Sequence, residues 1–172
     1  TVSVVENIIK LNPNKNILII QNKQNYGYAK NWNICLENSS SDYVLLLHAD
    51  DLLRPKGIET LIDFLKKNIE YGLVGGQEFL FNENGEGIYE KAKAHSKLFE
   101  KGQILEFVRD KGSYIPCSSV MFDMEKIRKV GFFQEDVLAT DELYWPEVLQ
   151  YYPIAVLGKF IINRRTHNGQ TE

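Results

Sequence analysis

The sequence predicts an α/β fold, and three observations carry that expectation. Ile17-Leu18-Ile19-Ile20 and Tyr43-Val44-Leu45-Leu46-Leu47 are short, uninterrupted apolar runs, as strands buried on both faces require. Segments of helical period lie before, between and after them, and helix followed by strand is the mark of crossover units on a parallel sheet. No internal repeat, low-complexity tract or Pro/Ser-rich linker interrupts the chain, so residues 1–172 read as one domain.

Val2, Val5, Ile8 and Ile9 share one helical face that ends near Asn12-Pro13. After the first apolar run, a polar loop from Gln21 to Asn25 leads to Gly27, and Ala29, Trp32, Cys35 and Leu36 mark a second helix. Asn38 to Asp42 breaks that helix ahead of the second run. Pro55 suits a first helical turn, and Ile58, Leu61, Ile62 and Leu65 follow at i, i+3, i+4 and i+7. Leu73 to Gly76 and Glu78 to Phe81 read as strands around a glycine kink. Asn82 to Gly87 is a turn ahead of Ile88-Tyr89. Ile104, Leu105 and Val108 suggest a short helix stopped by Lys111-Gly112. Ser119 to Phe122 reads as a strand, and Met124, Ile127 and Val130 form a helical face ending at Gly131. Asp141 to Leu149 is helical in pattern but contains Pro146. Ile154 to Leu157 and Phe160 to Ile162 close the chain as strands before a polar tail.

Composition narrows the function. Hydrophobic residues make up 44% and charged residues 25%, enough apolar surface to offset the entropy of ordering the chain. Twenty Lys and Arg against 23 Asp and Glu give a formal charge of −3, which argues against nucleic acid or an anionic membrane as the main partner. Cys35 and Cys117 stand far apart, with no zinc-ligand spacing and no disulfide framework, which fits a reducing compartment. No apolar run is long enough to span a bilayer, and the first residues lack the basic segment of a signal peptide.

Four constellations could carry chemistry. His48-Ala49-Asp50-Asp51 follows a buried strand directly, at the carboxyl edge where open α/β sheets place ligands. Paired carboxylates there suit Mg²⁺ or Mn²⁺ with substrate phosphates, and either Asp could instead cap the next helix. Asn25-Tyr26-Gly27-Tyr28-Ala29-Lys30-Asn31 joins a strand to a helix; its glycine permits close backbone approach, and Lys30 could meet a phosphate. Thr140-Asp141-Glu142-Leu143-Tyr144-Trp145 sets an acid beside aromatic groups, as a general base with a raised pKa requires, although Thr140 or Asp141 could equally be an N-cap. Arg164-Arg165-Thr166-His167 gathers cations and an imidazole near the end of the chain.

In this order, an Asn-x-Gly loop, a strand ending in paired Asp, a Gly-Phe-x-x-Glu segment at Gly131 to Glu135 and a terminal Arg-x-His resemble family 2 glycosyltransferases of the GT-A fold. The resemblance covers nearly the whole chain. It implies a Rossmann-like, three-layer α/β/α domain with a mostly parallel central sheet. By resemblance, Asp50 contacts the metal together with His167, and Asp51 supports it. Asn25, Gly27, Lys30, Asn31, His48 and Arg165 would bind the nucleotide sugar. Ser118, Ser119 and Trp145 would line the sugar and acceptor pocket, and Asp141 would be the catalytic base. Four departures stand out: His48 replaces the first Asp of the usual motif, Thr140 replaces the usual Glu before Asp141, and Pro146 and Glu147 alter the next helix. The fourth is at the start, where relatives open with a strand, a helix and a strand ending in Asp-Asp-Gly-Ser. Thr1 to Asn12 resembles the helix after that unit, so the first nucleotide-binding β-α-β is expected to be missing from this sequence.

The activity so implied is inverting, metal-dependent transfer of a hexosyl group from a nucleotide-diphosphate sugar to a carbohydrate or glycolipid acceptor, with Mg²⁺ or Mn²⁺ as cofactor. Its setting would be surface polysaccharide or glycoconjugate synthesis in the cytoplasm, at the inner face of the membrane through peripheral association. Two readings compete with it: a metal-dependent nucleotidyltransferase, and a truncated domain that folds without binding donor. No Gly-x-x-x-x-Gly-Lys loop is present, which disfavours a P-loop enzyme.

Overall fold

The computed structural model describes residues 2–82, 84–88, 95–110 and 114–166. A seven-stranded sheet forms its centre, in the order β1 (Tyr43–Leu45), β6 (Val120–Asp123), β3 (Leu73–Phe81), β7 (Ile154–Arg165) and β2 (Leu52–Leu53). Two short strands join it from the side: β4 (Gly87–Ile88) on β3 and β5 (Lys97–Phe99) on β7.

Side chains of the inner strands alternate between two cores. Leu73, Val120, Phe122, Ile154 and Val156 enter the larger cluster, while Val74, Met121, Ala155 and Leu157 enter the smaller one. The larger core is covered by α2 (Tyr28–Glu37), α4 (Ile104–Arg109), α5 (Met124–Val130) and α6 (Thr140–Tyr151), through Leu36, Phe107, Ile127 and Trp145 among others. The smaller is covered by α3 (Gly57–Lys67), through Leu61 and Leu65. Helices therefore lie on both faces of the sheet, which is the expected three-layer α/β/α arrangement.

Strand directions correct one expectation. Among the described residues β3 and β7 pair in parallel, and the other five pairings are antiparallel, so the sheet is mixed rather than mostly parallel. The β1–α3–β3 crossover does return in the same direction, but β6 is inserted between β1 and β3 running the other way. An apolar run reports burial on both faces and carries no signal of direction, which is why the pattern misleads here.

Ile17 to Ile20 is the second correction. The segment is no strand, and Leu18 is 68% exposed. A strand exists through its ladder, and no described strand lies beside this one. Helix α1 (Val2–Leu11) forms where its period predicts, yet none of its residues is buried.

Elsewhere two predicted strands fuse into one. The glycines of Leu73 to Phe81 do not end β3 but shift its register against β7, between Gly75 and Gln77 and again before Glu78. A Cβ on Gly75 would stand 2.1 Å from Ile115 Cγ2, and one on Gly76 2.1 Å from Ile161 Cγ1, so close packing selects glycine at both. Ile154 to Leu157 and Phe160 to Ile162 likewise merge into β7. Tyr89 and Lys111-Gly112 of the predicted turn and helix stop lie outside the described residues. Because β1, β3 and β7 share one direction, their carboxyl ends meet along a single sheet edge.

Candidate active site

His48-Ala49-Asp50-Asp51 leaves β1 at that edge. One potential ligand atom from each of His48, Asp50 and Asp51 lies within 4.8 Å of the others. Asp51 is buried; its Oδ1 accepts a hydrogen bond from the Arg165 backbone N–H at 3.2 Å, and its Oδ2 lies 3.9 Å from His48 Nδ1. Among the described residues no hydrogen bond reaches Asp51 Oδ2 or His48 Nε2, although both atoms are buried. An orphaned buried polar atom costs about 1–3 kcal/mol, a cost that falls away when a ligand supplies the partner. Burial pulls the His48 pKa down, with Asp51 and Asp50 opposing, so the imidazole is held in the neutral form that binds metals. Two carboxylates and an imidazole are a donor set that fits Mn²⁺ or Mg²⁺. Trp32 of α2 stacks on the His48 ring at 5.3 Å with 7° between the planes, which fixes the ring's orientation.

Asp141 enters from the first turn of α6. Burial raises its pKa, against the backbone N–H groups of Asp141 and Glu142 and the charges of His48 and Arg164. A carboxylate so shifted is a better proton acceptor than a solvated one. Arg164, near the end of β7, donates from Nη1 to Glu78 Oε1 of β3 at 3.1 Å. Tyr114 completes this group: burial first, then the Glu78 charge, pushes its pKa up to about 12.

The other expected residues divide. Asn25 Oδ1 accepts from Gly27 N–H at 2.9 Å, and Gly27 takes φ +82° with open space where a Cβ would stand, so the turn needs glycine for its backbone alone. Lys30 pairs with Glu135 at 3.0 Å, and Asn31 accepts from Asn22 at 2.9 Å. Tyr26, Gly27, Tyr28 and Ala29 face Glu135 to Leu138 across a shallow cleft of about 210 Å³. Ser118 and Ser119 are buried: Ser119 Oγ lies 3.0 Å from Gly76 O and 2.9 Å from Pro116 O, while no described group hydrogen-bonds Ser118 Oγ. Trp145, expected on the acceptor pocket, is a core side chain at 2% exposure, packed near Phe122 and Phe133. The helix starting at Thr140 keeps Asp141 half-buried in its first turn and turns Trp145 inward. Arg165 carries its guanidinium 5.1 Å over the Phe81 ring. His167 lies outside the described residues.

Sequence reasoning missed the Glu78–Arg164–Tyr114 group and the Trp32 stack. It also missed Asn33, which donates to Phe133 O at 2.9 Å and accepts from Phe133 N–H at 3.0 Å, locking the acidic loop onto α2. Trp32 and Asn33 sit in a helix whose amphipathic pattern explains them as packing groups, so only Arg164, inside a cationic cluster, carried a readable signal.

A mixed sheet covered by helices on both faces, with a carboxylate-rich edge and a separate half-buried acid, is the arrangement of a GT-A scaffold. The sequence pattern of Glycosyl transferase family 2 matches residues 1–131, and the chain belongs to that family. An uncharacterized glycosyltransferase of Haemophilus influenzae is 25% identical over 184 aligned positions, covering 99% of this chain and 54% of its own length. The Escherichia coli UDP-Gal:alpha-D-GlcNAc-diphosphoundecaprenol beta-1,3-galactosyltransferase is 25% identical over 72% of this chain and 43% of its own. Among solved structures, S. aureus TarS 1-349 in complex with UDP superposes with a TM-score of 0.71 at 17% identity, over 96% of this chain and 47% of its own. The chain thus spans about half the length of these relatives. No helix among the described residues is long and apolar enough to cross a membrane.

Proposed function

We propose that this chain carries the catalytic edge of an inverting, metal-dependent glycosyltransferase acting on a nucleotide-diphosphate sugar. The observation that carries the reading is the cluster of His48, Asp50 and Asp51, whose ligand atoms lie within 4.8 Å of one another and include two buried atoms that no hydrogen bond reaches among the described residues. Asp141 takes the proton from the acceptor hydroxyl as its oxygen bonds the anomeric carbon, while the bond from that carbon to the diphosphate breaks. His48, Asp50 and Asp51 would hold Mg²⁺ or Mn²⁺, with His167 as a further ligand. The ion would supply charge neutralisation at the departing diphosphate. Asn25, Gly27, Lys30, Asn31 and Arg165 would bind the donor, and Ser118 the sugar side.

UDP is the first probe, because TarS is seen with UDP and UDP-GlcNAc and the E. coli relative is named for UDP-Gal. A carbohydrate or glycolipid acceptor, and a role in surface polysaccharide or glycoconjugate synthesis, complete the proposal. Residues 1–172 are read as one domain, in the cytoplasm.

The test has two parts. In thermal-shift titrations, UDP, GDP or dTDP with Mn²⁺ should raise the melting temperature, and Asp50→Ala should abolish the Mn²⁺-dependent part. In a transfer assay, Asp141→Asn should cut turnover by about 10²- to 10⁴-fold while donor binding persists. Release of pyrophosphate in place of a nucleoside diphosphate would point to nucleotidyl transfer. Turnover unchanged in Asp141→Asn would remove the base assignment.

A further inference from the structure

Consecutive residues of a strand project to opposite faces, so Arg164 and Arg165 meet different neighbours. Arg165 lies over Phe81. Arg164 instead meets Glu78, and its charge acts on His48 and on Asp141. The hydrogen bond to Glu78 therefore leaves its charge within electrostatic range of both the metal-suited group and the candidate base.

We propose that Arg164, positioned by Glu78, is the cation that binds the diphosphate of the donor; this rests on the glycosyltransferase reading above. The Glu78 side chain is 10% exposed and the Arg164 side chain 32%, so the carboxylate is the more enclosed of the two and the arginine is in part open to solvent. Among the described residues the hydrogen bond of Arg164 is the one to Glu78, made through a single N–H of Nη1. A guanidinium has five N–H donors in a planar fork, and the edge that Glu78 does not occupy matches the spacing of phosphate oxygens. Glu78 thus acts as a strut: it holds the plane of the guanidinium while the free edge addresses an anion. The neighbourhood calls for such a cation. Asp50, Asp51 and Asp141 would repel a diphosphate, and the Arg164 charge acts on both Asp51 and Asp141. Positive charge already oriented toward the leaving group costs no reorganisation as negative charge builds on it.

Tyr114 also belongs to this group, close enough for the Glu78 and Arg164 charges to act on its hydroxyl.

The experiment compares the chain with its Arg164→Gln, Arg164→Lys and Glu78→Gln variants. Each is titrated by calorimetry or NMR, with Mn²⁺ present, against UDP, GDP and dTDP and against the matching nucleosides. Arg164→Gln should weaken the best nucleoside diphosphate by about tenfold or more and leave its nucleoside unchanged. Arg164→Lys should recover part of the loss, since it restores the charge but not the fork. Glu78→Gln should move in the same direction as Arg164→Gln, again for the diphosphate alone, which a merely structural role would not do. Diphosphate binding within twofold of the parent in Arg164→Gln overturns the assignment, as does an equal loss of diphosphate and nucleoside. A parent chain that binds none of the three diphosphates overturns the donor reading itself, and the inference with it. The two failures are told apart by the parent titration.

Discussion

Burial shifts Asp141 and His48 in opposite directions, and both shifts suit their chemistry. The acid is pushed toward its protonated form and the imidazole toward its neutral form. A raised acid has a stability consequence with a definite sign. A carboxyl whose folded pKa lies above its unfolded value contributes stability that is fully present below the unfolded value and is lost as pH rises through the folded one. At neutral pH the Asp141 carboxylate is therefore a cost to the fold. Asp141→Asn should melt higher than the parent at pH 7, and the difference should shrink as pH falls into the acid range and the parent carboxylate takes up its proton. Melting curves across that range check it. A variant that melts lower at every pH would show that the carboxylate is held by favourable contacts instead. The same substitution should therefore gain stability while losing turnover, the trade expected of a strained functional group.

Elements were legible where one face is buried and one is wet. Helix α3 forms over Gly57–Lys67, with Leu61 and Leu65 facing the core as their spacing demands, and α5 starts at Met124 with Asp123 accepting from Lys126 N–H. The reading fails where burial is complete or missing. A continuous apolar run says nothing of strand direction, so the reversed β6 was invisible. A run with no partner strand looks like any other run, so Ile17 to Ile20 was misjudged. The site follows the same rule. The Asp pair at a strand end and the acid at a helix start are local signals and were readable, whereas Glu78 and Arg164 meet across a parallel pairing 86 residues apart. The glycine kink was seen, but not its reason, which is the side chains pressed against it. Gly76→Ala should cost about 1–3 kcal/mol, because its Cβ would stand 2.1 Å from Ile161 Cγ1 and 3.0 Å from the Lys159 carbonyl oxygen. Urea denaturation measures that difference, and a stability equal to the parent would mean that Ile161 has room to turn aside.

Across the whole molecule the apolar surface is unevenly placed. Val4, Ile8 and Leu11 on α1 and Leu18 and Ile20 beyond it are all more than 40% exposed, a concentration that isolated surface leucines do not explain. As a 172-residue chain the protein should self-associate with rising concentration, and Leu11→Lys with Leu18→Lys should reduce it. Sedimentation velocity over a concentration series measures this, and a monomer at every concentration would show that the surface is tolerated. The two tryptophans differ in the same uneven way. Trp145 is sealed in the core, whereas Trp32 lies flat against His48 at the site. The chain therefore carries a built-in optical pair, one indole steady and one stacked on the ring proposed to meet an entering ion or donor. Fluorescence from the unlabelled protein then reports when the site fills and how fast, before any acceptor has been found.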